Sequence, residues 1–484
     1  MKYLLILAGL MLSNSFAFAQ NYITAYQLSS TEFGGTSRYN AMAGSFGALG
    51  GDVSSLSHNP AGIGLFRRSE ISVTPALQIN TVSSNYLGTN SEDIKPNANF
   101  NNLAFVSSKK LDDDLWRNVQ FGIAYNRIKD FHSNESIIGN NNGTTFADEL
   151  ANSAFGIPID NFESSDPIYV YPAWETYVFD STNVDLEYVS GFTGNDVRQV
   201  YNREMTGRIS ETAVSVGSNY NDRLYLGATI GFQRIKYSEE STFLESAEYE
   251  LEGMQLSSYR FIKSENAVGD GINLKLGAIY RVNNIVRAGF AYHSPTFISM
   301  NSSTERRFSS DLADGQAFGE NAPTQINEYN LSSPSKLIGS LAFIINKKGV
   351  LNVDYEFADY SNMKLRPSGL VSNDFSEDNQ DIKTYFQSTN NVRVGGEVRL
   401  QPFSLRGGVA YYENPNTDGT SLYAADKLFY TAGVGYKRND TYLDFAFRLK
   451  STNEDKYLYS SEFSELTEQE YTGTSISATW GVRF

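Results

Sequence analysis

The sequence predicts an all-β protein, a transmembrane antiparallel β-barrel of 14 strands with an N-terminal hatch inside its lumen, on three observations. The last ten residues alternate, with Ile476, Ala478, Trp480, Val482 and Phe484 on one face and Ser475, Ser477, Thr479, Gly481 and Arg483 on the other. A period of two that turns apolar side chains to lipid and polar ones to a lumen, ending on an aromatic, is the pattern of an outer-membrane strand. Segments of this kind, about ten residues long, recur along the chain. The gaps between them alternate between short and long, which sorts turns to one end of a barrel and loops to the other.

Composition bounds the alternatives. The 484 residues have a mean hydropathy of -0.36, and after the first 19 residues no run approaches the roughly 18 apolar residues of a spanning helix. A helical membrane protein is thereby excluded. The 39 glycines and 13% aromatics suit a barrel with aromatic girdles, a β-sandwich or a propeller. Only the barrel explains loops sorted by length.

In chain order, Lys2, the apolar run Tyr3 to Leu12 and Ala17-Phe18-Ala19 read as a signal peptide over 1–19, so that the mature chain begins at Gln20. With no cysteine in the chain, neither a lipid-acceptor residue nor a disulfide framework follows it. The Gly/Ser/Ala-rich stretch 20–68 is too short for an independent domain and reads as a plug folded into the lumen. The barrel occupies 69–484, with strands near 69–78, 101–108, 119–129, 210–219, 223–236, 272–281, 285–293, 335–345, 349–357, 391–400, 403–412, 428–437, 440–449 and 475–484. Turns such as Asn219 to Asp222, Val282 to Asn284 and Gln401-Pro402 close one end. Long connections near 79–100, 130–209, 237–271, 294–334, 358–390, 413–427 and 450–474 lie at the other, the outside.

Charges on the strands fall on the inward positions. Asn352, Asp354 and Glu356 oppose Leu351, Val353, Tyr355 and Phe357, and Arg393, Glu397 and Arg399 oppose Val392, Val394, Val398 and Leu400. Mixed signs suit a salt-bridged wall that holds a plug, or an anion-selective pore. The net charge of -16 resides in two external connections: 130–209 has thirteen Asp/Glu against three Arg, and 237–271 has eight against two Lys/Arg. Such loops repel nucleic acid, and no regular calcium-loop spacing occurs in them.

The run from Tyr39 to Ile63 includes Ala43-Gly44-Ser45-Phe46-Gly47-Ala48, Gly50-Gly51-Asp52-Val53-Ser54 and His58-Asn59-Pro60-Ala61-Gly62-Ile63. It resembles the hatch signature of the outer-membrane long-chain fatty-acid transporter family, the FadL/TodX type, over about residues 36–75. The resemblance implies a monomeric barrel in the outer membrane and passive uptake of a hydrophobic small molecule, with exit sideways through the wall. It implies outer-membrane lipids and the barrel-assembly machinery, which reads the C-terminal strand, as partners, and no cofactor. In this family one wall strand is kinked; segment 119–129 corresponds to it by order and alternates without visible interruption.

The candidate site residues form two groups. Asn59, Pro60, Ala61 and Gly62 carry the hatch turn, Asn capping through its own side chain and Pro60 holding φ near -65°. Within 130–209, Thr145 to Phe155 reads as a short amphipathic helix presenting Phe146 and Leu150, followed by Trp174, Tyr177 and Phe179 in an aromatic run; these five suit capture of an apolar ligand. The alternative is an aromatic loop packed on itself over the barrel mouth. His58, His132 and His293 are the only histidines, with no metal spacing and no Gly-x-Ser-x-Gly elbow, so no metal site and no enzyme is expected. Two other readings stay open: a hatch-barrel scaffold or shuttle subunit of a secretion machine, and a haem receptor using one histidine as axial ligand.

Overall fold

The computed structural model describes residues 21–182, 184–192, 196–247, 256–346, 348–369, 374–417, 419 and 422–484. The signal peptide expected over 1–19 lies outside them. Chain order gives β1 (Glu70–Tyr86), β2 (Thr89–Lys110), β3 (Trp116–Asp130), β4 (Ser133–Asn141), β5 (Phe179–Ser181), β6 (Tyr188–Ser190), β7 (Val197–Tyr220), β8 (Leu224–Ala247) and β9 (Leu256–Arg281). There follow β10 (Val286–His293), β11 (Phe297–Leu312), β12 (Ala317–Asn321), β13 (Gln325–Ser332), β14 (Lys336–Ile345), β15 (Gly349–Asp359) and β16 (Lys364–Pro367). The series ends with β17 (Ser388–Leu400), β18 (Phe403–Tyr412), β19 (Lys427–Arg438), β20 (Thr441–Tyr457) and β21 (Leu466–Arg483).

Fourteen of these make the closed antiparallel wall, β1-β2-β3-β7-β8-β9-β10-β14-β15-β17-β18-β19-β20-β21, and β21 pairs back onto β1 from Glu70↔Arg483 to Asn85↔Glu468. Pairing of β21 with β1 leaves the sheet without free terminal strands in the bilayer, where an unpaired backbone group costs several kcal/mol. The expected faces are in place: Asn352, Asp354, Glu356, Arg393 and Glu397 are buried inward, while Val398, Leu400 and Phe445 lie exposed toward lipid.

Most of the expected external loops are strand instead. β1 and β2 run on to Tyr86 and Thr89, and the connection placed at 237–271 is largely β8, to Ala247, and β9, from Leu256; likewise β4 and the start of β7 lie within 130–209. Above the apolar belt both faces meet water or protein, so the hydrophobic alternation stops while the hydrogen-bonded ladder continues.

The segment before β1 fills the lumen. Its helices α1 (Asn21–Ser29), α2 (Ser37–Ala41) and α3 (Ser55–His58) and the 3-10 turn Pro60–Leu65 are tied to the inner wall. Ser37 N–H donates to Thr479 Oγ1 at 2.7 Å, Phe46 N–H to Asp354 Oδ2 at 3.0 Å, and Arg38 pairs with Glu397 at 2.9 Å. Where hatch backbone touches wall backbone, the wall has glycine: Gly227 and Gly277 are cross-strand neighbours, and a Cβ on either would collide with Pro60 or Asn59.

Candidate functional site

Pairing between β2 and β3 runs from Lys110↔Asn118 to Asn102↔Asn126 and stops there, although both strands continue outward. β2 keeps β1 as its partner to Thr89, and β3 keeps β7, handing over to β4 after Phe131-His132. No ladder joins the outer half of β2 to β3 or β4 among the described residues. At the same level β3 bulges: Arg127 opposes Ser210 and Lys129 opposes Ile209, leaving Ile128 without a place in the ladder. An extra residue of this kind bends its strand and breaks pairing.

Side chains span the seam in place of backbone. Asn97 Nδ2 donates to Asp130 Oδ2 at 2.9 Å, Asn80 Nδ2 to the His132 carbonyl at 2.5 Å, and Ser91 Oγ to the Ser136 carbonyl. Asp130 also pairs with Arg127 and sits 3.0 Å from His132 Nδ1. A side-chain hydrogen bond exchanged for water costs about 1 kcal/mol, so this seam opens far more easily than a ladder.

The hatch holds the bulged strand from inside. The Glu32 N–H donates to the Ile128 carbonyl at 2.8 Å, and Lys129 Nζ donates to the Gln27 carbonyl and Ser30 Oγ, both at 2.6 Å, at the C-terminal end of α1. Sequence reasoning missed this region. Pro96, followed by Asn97-Ala98-Asn99-Phe100, falls in the connection expected at 79–100. Inside a strand, a proline marks an edge without a donor to give, and that signal was available.

An apolar cluster extends from α1 to the seam. Tyr26 and Leu28 pack with Phe131, at the β3/β4 break, and with Ile298, Met300, Leu331, Tyr360 and Phe386. Tyr22 stacks on Tyr385 at 5.0 Å, which places α1 beneath the helix Ser376–Tyr385 at the external mouth. Beneath α1 the lumen changes character. A cavity of about 80 Å³ is lined by His58, Glu211, Lys275, Lys336, Glu356 and Arg393 among others. Lys275 pairs with Glu211, and Glu356 with Lys336 at 3.4 Å and Arg393 at 3.0 Å. An apolar molecule passing straight down would meet these buried ion pairs.

The hatch turn sits at this level. Asn59 Oδ1 accepts from Ala61 N–H at 3.1 Å, its Nδ2 donates to the Gly47 carbonyl at 2.6 Å, and Pro60 opens the 3-10 turn that contains Gly62. His58 Nε2 lies 2.7 Å from Asp354 Oδ2, and the His293 ring bonds the His58 carbonyl at 2.7 Å. Burial and the nearby Arg393 push the His58 pKa down against the pull of Asp354.

The external capture residues fall into two places. The helix expected from Thr145 is α4 (Phe146–Ala154), with Thr145 and Asp148 forming a capping box. Phe146, Leu150 and Phe179 are buried and Trp174 is partly buried, all in one cluster that packs the cap upon itself and onto β8, β9 and β11. Tyr177 stands outside it, 46% exposed against Phe318.

No curated protein matches the chain by sequence. Among solved structures it is similar in fold to the P. putida toluene transporter TodX, at 13% identity and TM-score 0.53, covering 94% of this chain and 99% of that one. A Pseudomonas aeruginosa FadL homologue matches at 14% identity and TM-score 0.55 over the same shares, 94% and 99%. The CymD monoaromatic hydrocarbon channel matches at 14% and 0.50, over 94% and 98%. The family profile described as outer membrane protein transport protein (OMPP1/FadL/TodX) matches residues 175–482. A barrel closed by β21 on β1, plugged from its own N-terminal segment and matched by that profile over most of its length, belongs to the OMPP1/FadL/TodX family of outer-membrane transport proteins.

Proposed function

We propose that this protein takes up a hydrophobic molecule passively at the external mouth and releases it sideways into the outer membrane between β2 and β3. The carrying observation is the seam: pairing ends at Asn102↔Asn126 while the strands go on. Two further features support it. The apolar cluster around α1 reaches the seam at Phe131, and the lumen below is ionic. Each CH₂ that leaves water for the bilayer gains about 0.8 kcal/mol, so affinity suffices without an energy source. The structures similar in fold include a toluene transporter and a monoaromatic hydrocarbon channel. The substrate proposed here is a long-chain fatty acid or similar lipid, captured at Tyr177 and at the surface of the cap.

A scaffold role remains the second reading, favoured by one observation: the cap's aromatics pack into its own core. The absence of native cysteine permits a direct test. Asn97→Cys with Asp130→Cys should lock the seam when oxidised, and uptake of radiolabelled oleate and toluene should stop and return on reduction. Equal uptake by locked and reduced barrels would reject lateral exit. No uptake in either state, or in wild type, would support the scaffold.

A further inference from the structure

The outward positions of the wall locate the outer boundary of the bilayer and, on it, a groove away from the β2–β3 seam. Phe232, Ile272 and Phe297 are register partners across β8, β9 and β11 and face lipid. Two residues further out along each strand the partners are Arg234, Asp270, Ser299 and Asn330, and Asn330 in turn opposes Arg366 on β16. One step of the ladder thus separates an apolar row from a polar one. Such a step marks the level of the lipid headgroups.

At this level a groove of about 510 Å³ opens between β9, β11, β13 and β16, lined by Ile272 and Phe297 on its lipid side and by Asp270, Asn330 and Arg366 on its outer side. It exists because the wall steps here: β10 ends at His293 and resumes as β11 after Ser294-Pro295-Thr296, and β13 likewise gives way to β14 across Ser333-Pro334-Ser335. Asp270 is neutralised by Arg234 at 2.5 Å. Arg366 donates to Ser332 Oγ at 2.6 Å, and no carboxylate among the described residues pairs with it. A guanidinium held at the headgroup level above an apolar floor lacks only an anion that carries hydrocarbon with it.

We propose that this groove binds a phosphorylated glycolipid of the outer leaflet, its phosphate on Arg366 and an acyl chain against Phe297 and Ile272. The planar guanidinium takes a phosphate through paired N–H donors, and the polar row offers Asn330 and Ser299 to the sugar. The groove opens on the lipid side of the wall, away from the β2–β3 seam, and its floor includes Ile298 and Leu331, which also belong to the apolar cluster around α1.

The test is native mass spectrometry of the full-length barrel in detergent, titrated with a diphosphorylated glycolipid, with the same glycolipid after phosphatase treatment, and with phosphatidylethanolamine. Wild type should retain the phosphorylated form selectively, and Arg366→Ala should weaken it by about tenfold, the scale of one charge-assisted contact. Phe297→Ala should also weaken binding while Arg438→Ala, at the periplasmic end of β19, should not. Heat-modifiable gel migration would verify that each variant folds. Equal binding by wild type and Arg366→Ala, or equal binding of the dephosphorylated glycolipid or of phosphatidylethanolamine, would overturn the proposal.

Discussion

The Glu32 N–H of the hatch donates to the carbonyl of Ile128 at 2.8 Å, and Ile128 is the residue that the β3–β7 ladder leaves out. Plug and wall opening therefore meet at one hydrogen bond. A bulge exposes a carbonyl that the ladder does not satisfy, and in a lipid-facing wall such a group needs a partner. The hatch supplies it from inside.

Deleting Ile128 should let Arg127 and Lys129 pair with Ser210 and Ile209 without interruption. The strand would straighten and the seam narrow. Uptake of apolar substrate should fall at least severalfold while the barrel keeps its heat-modifiable migration; undiminished uptake would show that the bulge has no part in passage.

Lys129→Met should free α1. Its Nζ donates to the Gln27 carbonyl and Ser30 Oγ, so the helix end would lose about 1 to 3 kcal/mol of local stability. Hydrogen exchange over residues 22–30 should accelerate, with the rest of the hatch unchanged.

Gly277→Val places a branched side chain where Asn59 and Pro60 lie against the wall. The barrel should still close, because the inward face tolerates polar and apolar residues alike, but the hatch cannot seat. Planar-bilayer conductance to small ions should rise above the wild-type level through the charged lumen.

Acid should loosen the hatch around His58. The ring is buried with Asp354, Arg393, Glu356 and His293 nearby, and its pKa is depressed by burial first and by Arg393 second. A base whose folded pKa lies below its unfolded value contributes stability that is present above about pH 6.5 and is lost as pH falls toward the folded value. Amide protection factors in residues 55–66, corrected for the intrinsic pH dependence of exchange, should therefore fall between pH 7 and pH 5. His58→Gln should flatten that dependence.

Trp174 and Tyr177 should separate two roles. Trp174 packs on Phe162, Phe179 and Tyr188, so Trp174→Ala should destabilise the cap by about 3 kcal/mol and raise its protease sensitivity. Tyr177 is exposed, so Tyr177→Ala should leave the cap intact and weaken ligand capture by about 1 kcal/mol if the residue touches ligand. Unchanged binding would remove it from the capture surface.

The wall was legible because lipid imposes a rule that each strand obeys alone. Leu443, Phe445 and Phe447 had to alternate with Tyr442, Asp444 and Ala446, and no partner strand was needed to read it. The strand extensions above the membrane were not legible, since water relaxes that rule on both faces. α4 was readable from Thr145, Asp148 and the spacing of Phe146 and Leu150 because capping and amphipathicity are local. Whether those side chains meet a ligand or one another was not.

From its own residues the chain determined the barrel, its face pattern and a glycine-rich plug with an Asn-Pro-Ala turn, all set by interactions within a few residues or with a uniform solvent. Tertiary structure alone decided where the wall is unpaired. Segment 119–129 alternates without a break, yet Ile128 bulges because the hatch backbone arrives at its carbonyl and β7 keeps its own register on the other side. Register between strands is a property of pairs, and the seam between Asn102 and Asp130 exists only where three elements, β2, β3 and the hatch, compete for the same hydrogen bonds.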